Sequence, residues 1–187
     1  MESKTVYFDK PGKENTGAVF EIARKRAEEL GIKTIIVAST TGETAVAAVK
    51  ALKGFKIIIV SHVMGSKEPN VNPMSEENRK AVVDSGAIIV TAAHAFGSID
   101  RAMRKSFNMV GLGETIAHVL RVFGQGMKVV CEISLMAADA GAVRTDEEVV
   151  SIGGTGRGAD TAVVLNPINT TDFFNLKVKE ILCKPRL

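Results

Sequence analysis

Four hydroxyl side chains crowd one glycine in Ser39-Thr40-Thr41-Gly42-Glu43-Thr44. Hydroxyl donors, backbone N–H groups freed by a glycine and a helix opening behind them make a natural phosphate cradle. The same residues also spell a helix-capping box, Thr40 with Glu43 three positions on. The stretch is not a Walker loop, because no Gly-Lys-Ser/Thr follows. A second glycine-rich run, Gly153-Gly154-Thr155-Gly156-Arg157-Gly158, could be mistaken for a dinucleotide fingerprint. Its spacing is wrong for one, and Ala159–Leu165 behind it reads as a strand, not a helix. It is expected to be a turn between two strands, either a plain wide hairpin or one that presents backbone and Arg157 to an anion.

Of the three histidines, His62 and His94 fall on loops after apolar strands and are candidates for ligand contact, whereas His118 shares a polar helix face with Glu114 and Arg121. None has a partner at metal-ligand spacing, so no metal is expected. No nucleophile elbow occurs. Asp100, Asp160 and Glu43 are the acids placed near the loops, too few for a paired-carboxylate mechanism. No catalytic constellation emerges. Cys131 sits in an apolar helical stretch and reads as core. Asn15 and Thr16, in the loop before the first helix, are candidates to cap that helix and to reach the ligand.

The elements that must position these groups alternate. Strands are expected at Thr5–Phe8, Thr34–Ala38, Ile57–Val60 and Ile88–Val90, the last three apolar throughout, as strands buried on both faces are. Helices are expected at Thr16–Leu30 with Gly31 as its stop, at Glu43–Leu52, behind Ser75 and behind Ser98. Glu114–Asp139 reads as helix in two pieces, broken near Gly124-Gln125-Gly126. Late strands follow at Glu147–Ile152, Thr161–Leu165 and Leu176–Leu182, the last alternating as a half-exposed edge strand does. The pattern predicts an α/β fold of three layers, α/β/α, over residues 1–187 as one domain. Its sheet is expected to be mostly parallel with antiparallel C-terminal edge strands. In such a sheet, ligands bind outside the carboxyl ends of the strands. Three consecutive strands lead there into Ser39–Thr44, Ser61–Gly65 and Thr91–Gly97.

Composition narrows the function classes. A net charge of +3 over 187 residues, with no long basic run, gives no support to nucleic-acid binding. No apolar stretch approaches the ~18 residues of a membrane span. Two distant cysteines and an N-terminus without a leader pattern suit a reducing cytoplasm. With no Trp and one Tyr, a planar ligand would be held by aliphatic side chains, Phe and backbone. Met127–Ala142, rich in small and apolar residues, fits association into a homo-oligomer and equally a buried core.

In Ser39–Ala45 after its strand, Ile57–Gly65, and the closing strands from Ile152 to Leu182, the chain resembles the C-terminal α/β domain of pyruvate kinase. Through PGKENT (Pro11–Thr16) and VASTTGETA (Val37–Ala45) it more closely resembles a stand-alone archaeal family with that fold. In pyruvate kinases the similar loop holds a phosphate of a sugar-bisphosphate activator. Members of the stand-alone family have been seen holding FMN and have no assigned activity. The resemblance implies a phosphate on Ser39, Thr40, Thr41, Gly42 and Thr44. It also implies ligand roles for Asn15 and Thr16, and Gly153, Gly154, Thr155, Gly156 and Arg157 closing over the ligand. For FMN the ring would lie between loops carrying His62, Val63, Met64 and Phe96, with Met64–Met74 as a lid. The expected partner is thus a phosphorylated small molecule, FMN or a sensed sugar phosphate. A flavin-dependent redox reaction stays open. Pyruvate kinase activity is not expected, because the phosphoryl-transfer barrel is missing.

Overall fold

The structure, a computed structural model, describes residues 3–187. Thirteen regular elements follow one another: β1 (Val6–Phe8), α1 (Thr16–Leu30), β2 (Thr34–Ala38), α2 (Glu43–Ala51), β3 (Lys56–Val60), α3 (Glu76–Asp84), β4 (Ile88–Val90), α4 (Ser98–Phe107), α5 (Leu112–Arg121), α6 (Gln125–Asp139), β5 (Val149–Gly153), β6 (Thr161–Leu165) and β7 (Val178–Pro185). A 3₁₀ turn precedes α1 (Lys13–Asn15), and a kinked 3₁₀ segment precedes β7 (Thr170–Asn175). Among the described residues, no helix is long and apolar enough to cross a membrane.

The strands form one sheet in the order β1-β7-β6-β5-β2-β3-β4. Alternating residues of its strands feed two cores. Ile35, Val37, Ile57, Ile59, Val150, Ile152 and Val164 pack under α1, α2 and α3. Ile36, Ile58, Val60, Val149, Val163 and Leu165 pack under α5 and α6. This is the α/β/α sandwich that the strand–helix alternation predicts. Ile35, Ile36, Ile58 and Ile59 are fully buried; each such side chain contributes about 1.5–3 kcal/mol of transfer free energy. Arg26 of α1 fastens one layer to the sheet, its Nε and Nη2 reaching the two carboxylate oxygens of Glu180 at 2.8 and 2.7 Å.

Two expectations about the sheet need correction. β6 alone runs antiparallel, and it lies inside the sheet between β5 and β7. β7, antiparallel to β6, is therefore parallel to the rest, and β1 pairs outside it. β1 covers Cys183–Pro185 only, so the start of β7 keeps the alternation of an edge. β4 is the opposite edge of the sheet: Ile88 is 41% exposed, and Val90 is buried. Its uniformly apolar triplet looks doubly buried because three residues are too few to show a period. The stretch Met127–Ala142 is mostly core, with twelve residues of α6 buried.

Candidate functional site

The carboxyl ends of β2, β3 and β4 open into one cavity of about 450 Å³. Size and position suit a small-molecule site in an open α/β sheet. Its walls come from the loop after β2 (Ser39, Thr40, Thr41, Glu43, Thr44), from Ser61, His62 and Lys67 after β3, and from His94 after β4. Arg101 of α4, Arg121 of α5, and Gln125, Lys128, Val129, Glu132, Ile133 and Met136 of α6 complete it, with Gly154, Gly156, Arg157 and Gly158 from the β5–β6 loop. Lys67, Arg101, Arg121, Lys128 and Arg157 outnumber Glu43 and Glu132. Such a surplus of positive charge in a concave wall attracts anions.

The loop after β2 is shaped from within and braced from outside. Ser39 Oγ accepts from Ala45 N–H at 3.1 Å, so it caps α2. The Thr40–Glu43 capping box does not form; the N-cap residue is Gly42, with no side-chain cap bond. Gly42 has φ +95°, and a Cβ there would meet Asn78 Cβ at 2.4 Å. Asn78 Nδ2 in turn donates to Thr41 carbonyl at 3.0 Å. Thr40 is exposed, and Thr41 and Thr44 are half-buried. These three hydroxyls have no protein partner among the described residues and stand at a helix N-terminus, where the dipole favours an anion.

The β5–β6 loop is organised by Asp160, which is fully buried. Its Oδ2 accepts from Gly12 N–H at 3.1 Å and Thr155 N–H at 3.0 Å, and its Oδ1 from the Thr161 hydroxyl at 2.8 Å. Thr16 Oγ1 accepts from Ala159 N–H at 3.0 Å. Gly158 allows this approach, since a Cβ there would lie 2.4 Å from Lys13 Cα. Asn15 and Thr16 thus fasten loops together rather than line the cavity. Nor does either side chain cap α1: the preceding 3₁₀ turn runs straight into the helix, so Asn15 is already helical (φ −83°, ψ −11°). Its Nδ2 donates to Lys10 carbonyl at 2.8 Å.

Other expected contacts also fall outside the walls. Phe96 is 5% exposed and packs in the core, its ring 5.4 Å from Phe173. Met64 is 48% exposed, and Val63 does not line the cavity. Gly153 ends β5 against Val129, and Thr155 turns its N–H to Asp160. The segment Met64–Met74 is folded back on itself: Asn72 Nδ2 donates to His62 carbonyl at 2.7 Å, Met74 N–H donates to Asn72 Oδ1 at 2.9 Å, and Met74 is buried. It contributes Lys67 to the rim. Asp100 accepts from Glu114 N–H at 2.8 Å and caps α5.

The groups that sequence reasoning missed lie on α6. Glu132 is buried, and its Oε1 accepts from Phe96 N–H at 3.2 Å. Its Oε2 meets Lys128 Nζ and lies 3.3 Å from His94 Nδ1. Burial pushes its carboxyl up, but His94 and Lys128 overcome that and hold it at about 2. Burial lowers Lys128, with Arg121 and Arg101 adding repulsion against the attraction of Glu132. His62 is lowered by burial and then by His94, whose ring centroid is 4.5 Å away. His94 Nε2 is buried with no partner among the described residues. The available signal was two opposite charges four residues apart inside a helix otherwise apolar. The thiols are inert by comparison: burial raises Cys131 to about 11 and Cys183 to about 12. Among the described residues, no group of three or more His, Cys, Asp or Glu side chains is arranged around a metal position.

A hydroxyl-rich loop at the carboxyl edge of a mixed α/β sheet borders a cavity walled by cationic side chains, in an α/β domain. A family model, "Pyruvate kinase, alpha/beta domain", matches residues 17–165, and the chain belongs to that family. Among solved structures, it is similar to a pyruvate kinase from Cryptosporidium parvum at 13% identity and a TM-score of 0.42. That match covers 82% of this chain and 23% of the other, so the chain spans about a quarter of that enzyme's length.

Proposed function

We propose that the chain binds a phosphorylated small molecule at the carboxyl ends of β2, β3 and β4, with the phosphate on Ser39–Thr44 and FMN as the ligand. The observation that carries the reading is the cradle itself. Free hydroxyls of Thr40, Thr41 and Thr44 stand at the α2 N-terminus, facing a cavity lined by five cationic side chains. A cavity of about 450 Å³ lies within the range of cofactor sites. Ala38, Val60, Val129, Ile133 and Met136 give a flat ring an aliphatic flank. When bound, FMN would supply one- or two-electron redox chemistry; the chain's own residues bind its phosphate and exclude water from its ring. The resemblance to the stand-alone archaeal family supports FMN over other nucleotides. The purified protein is expected to show flavin absorbance, or to quench FMN fluorescence with micromolar or tighter affinity. A colourless protein that leaves FMN fluorescence unchanged overturns this ligand.

The cationic walls favour a second reading, a module that holds a sugar phosphate. Among the described residues, no Trp, Tyr or Phe lines the cavity, and the five cations suit a small ligand of high negative charge. Thermal stabilisation by a sugar phosphate that exceeds the stabilisation by FMN would select this reading.

A further inference from the structure

The floor of the cavity holds a charged cluster that phosphate binding leaves unexplained. Glu132 is fixed by three donors: Phe96 N–H and the His94 ring from the loop between β4 and α4, and the Lys128 ammonium one turn back on its own helix. A carboxylate held below its usual range only accepts hydrogen bonds, so the proton on His94 belongs on Nδ1. On that tautomer the lone pair is on Nε2, which is buried and has no partner among the described residues, so neighbouring side chains must shift to uncover it before a ligand reaches it. A core selected for stability alone would place an apolar side chain there. Instead His94 lines the cavity, beside Lys128, Arg101 and Arg121.

We propose that this floor is an acid–base centre. His94 Nε2 removes and returns the proton on a carbon adjacent to the carbonyl of a phosphorylated hydroxy-aldehyde or hydroxy-ketone. Glu132 is the positioning residue that sets the tautomer. The proposal rests on the second reading above, with the phosphate on Ser39–Thr44. In the first half-step the C–H bond breaks, its proton goes to Nε2 and its electron pair moves onto the carbonyl oxygen. The resulting enediolate is stabilised by the cations that line the same cavity, among them Lys128, which shares the Glu132 carboxylate with His94. In the second half-step the imidazolium gives the proton back. Return to the same carbon is hydrogen exchange. Return to the neighbouring carbon, with the hydroxyl proton passing between the two oxygens, interconverts aldehyde and ketone. No electron acceptor is consumed in either case.

The test uses the full chain with dihydroxyacetone phosphate, ribulose 5-phosphate and fructose 6-phosphate in D₂O. Proton NMR follows loss of the C–H signal next to the carbonyl, and calorimetry measures binding separately. Exchange is expected with at least one probe, and His94→Gln should slow it by about 100-fold or more with binding within about threefold of the parent. Long-range ¹H–¹⁵N spectra should show His94 Nε2 unprotonated, and Glu132→Gln should move the proton to Nε2. That shift would not follow from a merely structural role. Binding without exchange overturns the acid–base centre and leaves the sugar-phosphate reading standing. Binding by none of the probes overturns both. Exchange that survives in His94→Gln, or an Nε2 already protonated in the parent, overturns the assignment to His94.

Discussion

Two loops meet at the rim of the cavity, one with a single glycine and one with four, and they use their polar groups in opposite ways. In Ser39–Thr44 the protein engages the Ser39 hydroxyl and the Thr41 carbonyl, and three hydroxyls stay free beside a helix N-terminus. In Gly153–Gly158 the internal demand is heavier. Thr155 N–H goes to Asp160, Arg157 N–H to Thr155 carbonyl at 3.0 Å, and Ala159 N–H just beyond to Thr16. Asp160 already supplies the negative charge that a phosphate would bring to Thr155 and Gly12. Glycine content alone does not leave donors free for a ligand; what matters is whether the fold leaves them without a partner, as it does the hydroxyls of Thr40, Thr41 and Thr44 among the described residues.

The largest effect that would break this contrast is expected from Gly42→Ala. The new Cβ would collide with Asn78 and force a positive φ on alanine, so the domain should lose roughly 2–3 kcal/mol. Ligand affinity should fall more than tenfold, as read by denaturant unfolding and titration. Unchanged affinity would show that the shape of the loop does not matter. Thr41→Val combined with Thr44→Val keeps the backbone and removes donors. Affinity for FMN or a sugar phosphate should weaken about 30-fold, equivalent to about 2 kcal/mol, with little change in melting temperature. Equal affinity in that variant would move the phosphate elsewhere.

Asp160→Asn tests the other loop. It should cost about 1–2 kcal/mol in urea unfolding, because the carboxylate accepts from two backbone N–H groups and a hydroxyl. Its effect on affinity should be smaller than that of the double threonine variant; the reverse order would make the β5–β6 loop the principal anion site. Arg157→Ala should be mildest, about threefold in affinity and vanishing at high salt, since Arg157 is exposed. A salt-independent loss there would mean a direct, desolvated contact.

Local chemistry is where reading the sequence succeeded. α1 runs from Thr16 to Leu30 as its periodicity predicts, β2 and β6 span the expected residues, and Ser75 Oγ caps α3 by accepting from Asn78 N–H at 3.2 Å. What stayed hidden depends on partners distant in the chain. β1 lies beside β7 across most of the sequence, and nothing in Val6–Phe8 specifies that register. Thr40 and Glu43 satisfy the capping-box spacing, yet Ser39 is the residue whose hydroxyl reaches the first turn. Phe96 has the type of a ring-stacking residue and the surroundings of a core one. Lys128 and Glu132 were masked by the opposite effect: a largely apolar helix draws attention to its core face, and the two charges in its middle are read as interruptions.

α4 carries one more consequence. It lends Arg101 to the cavity and has no buried residue, while Ile99 and Phe107 are 77% and 66% exposed. It is tied to α5 through Asp100 and through Arg104, whose Nε donates to Glu114 at 2.7 Å. A segment anchored by surface bonds opens at a small fraction of the global unfolding free energy. Lifting α4 unseals one side of the pocket while β2, β3 and α6 keep the rest of its shape. Amide exchange should therefore be faster in α4 than in α6; for a ligand bound in this cavity, this helix is expected to set how quickly it arrives and departs more than how tightly it is held.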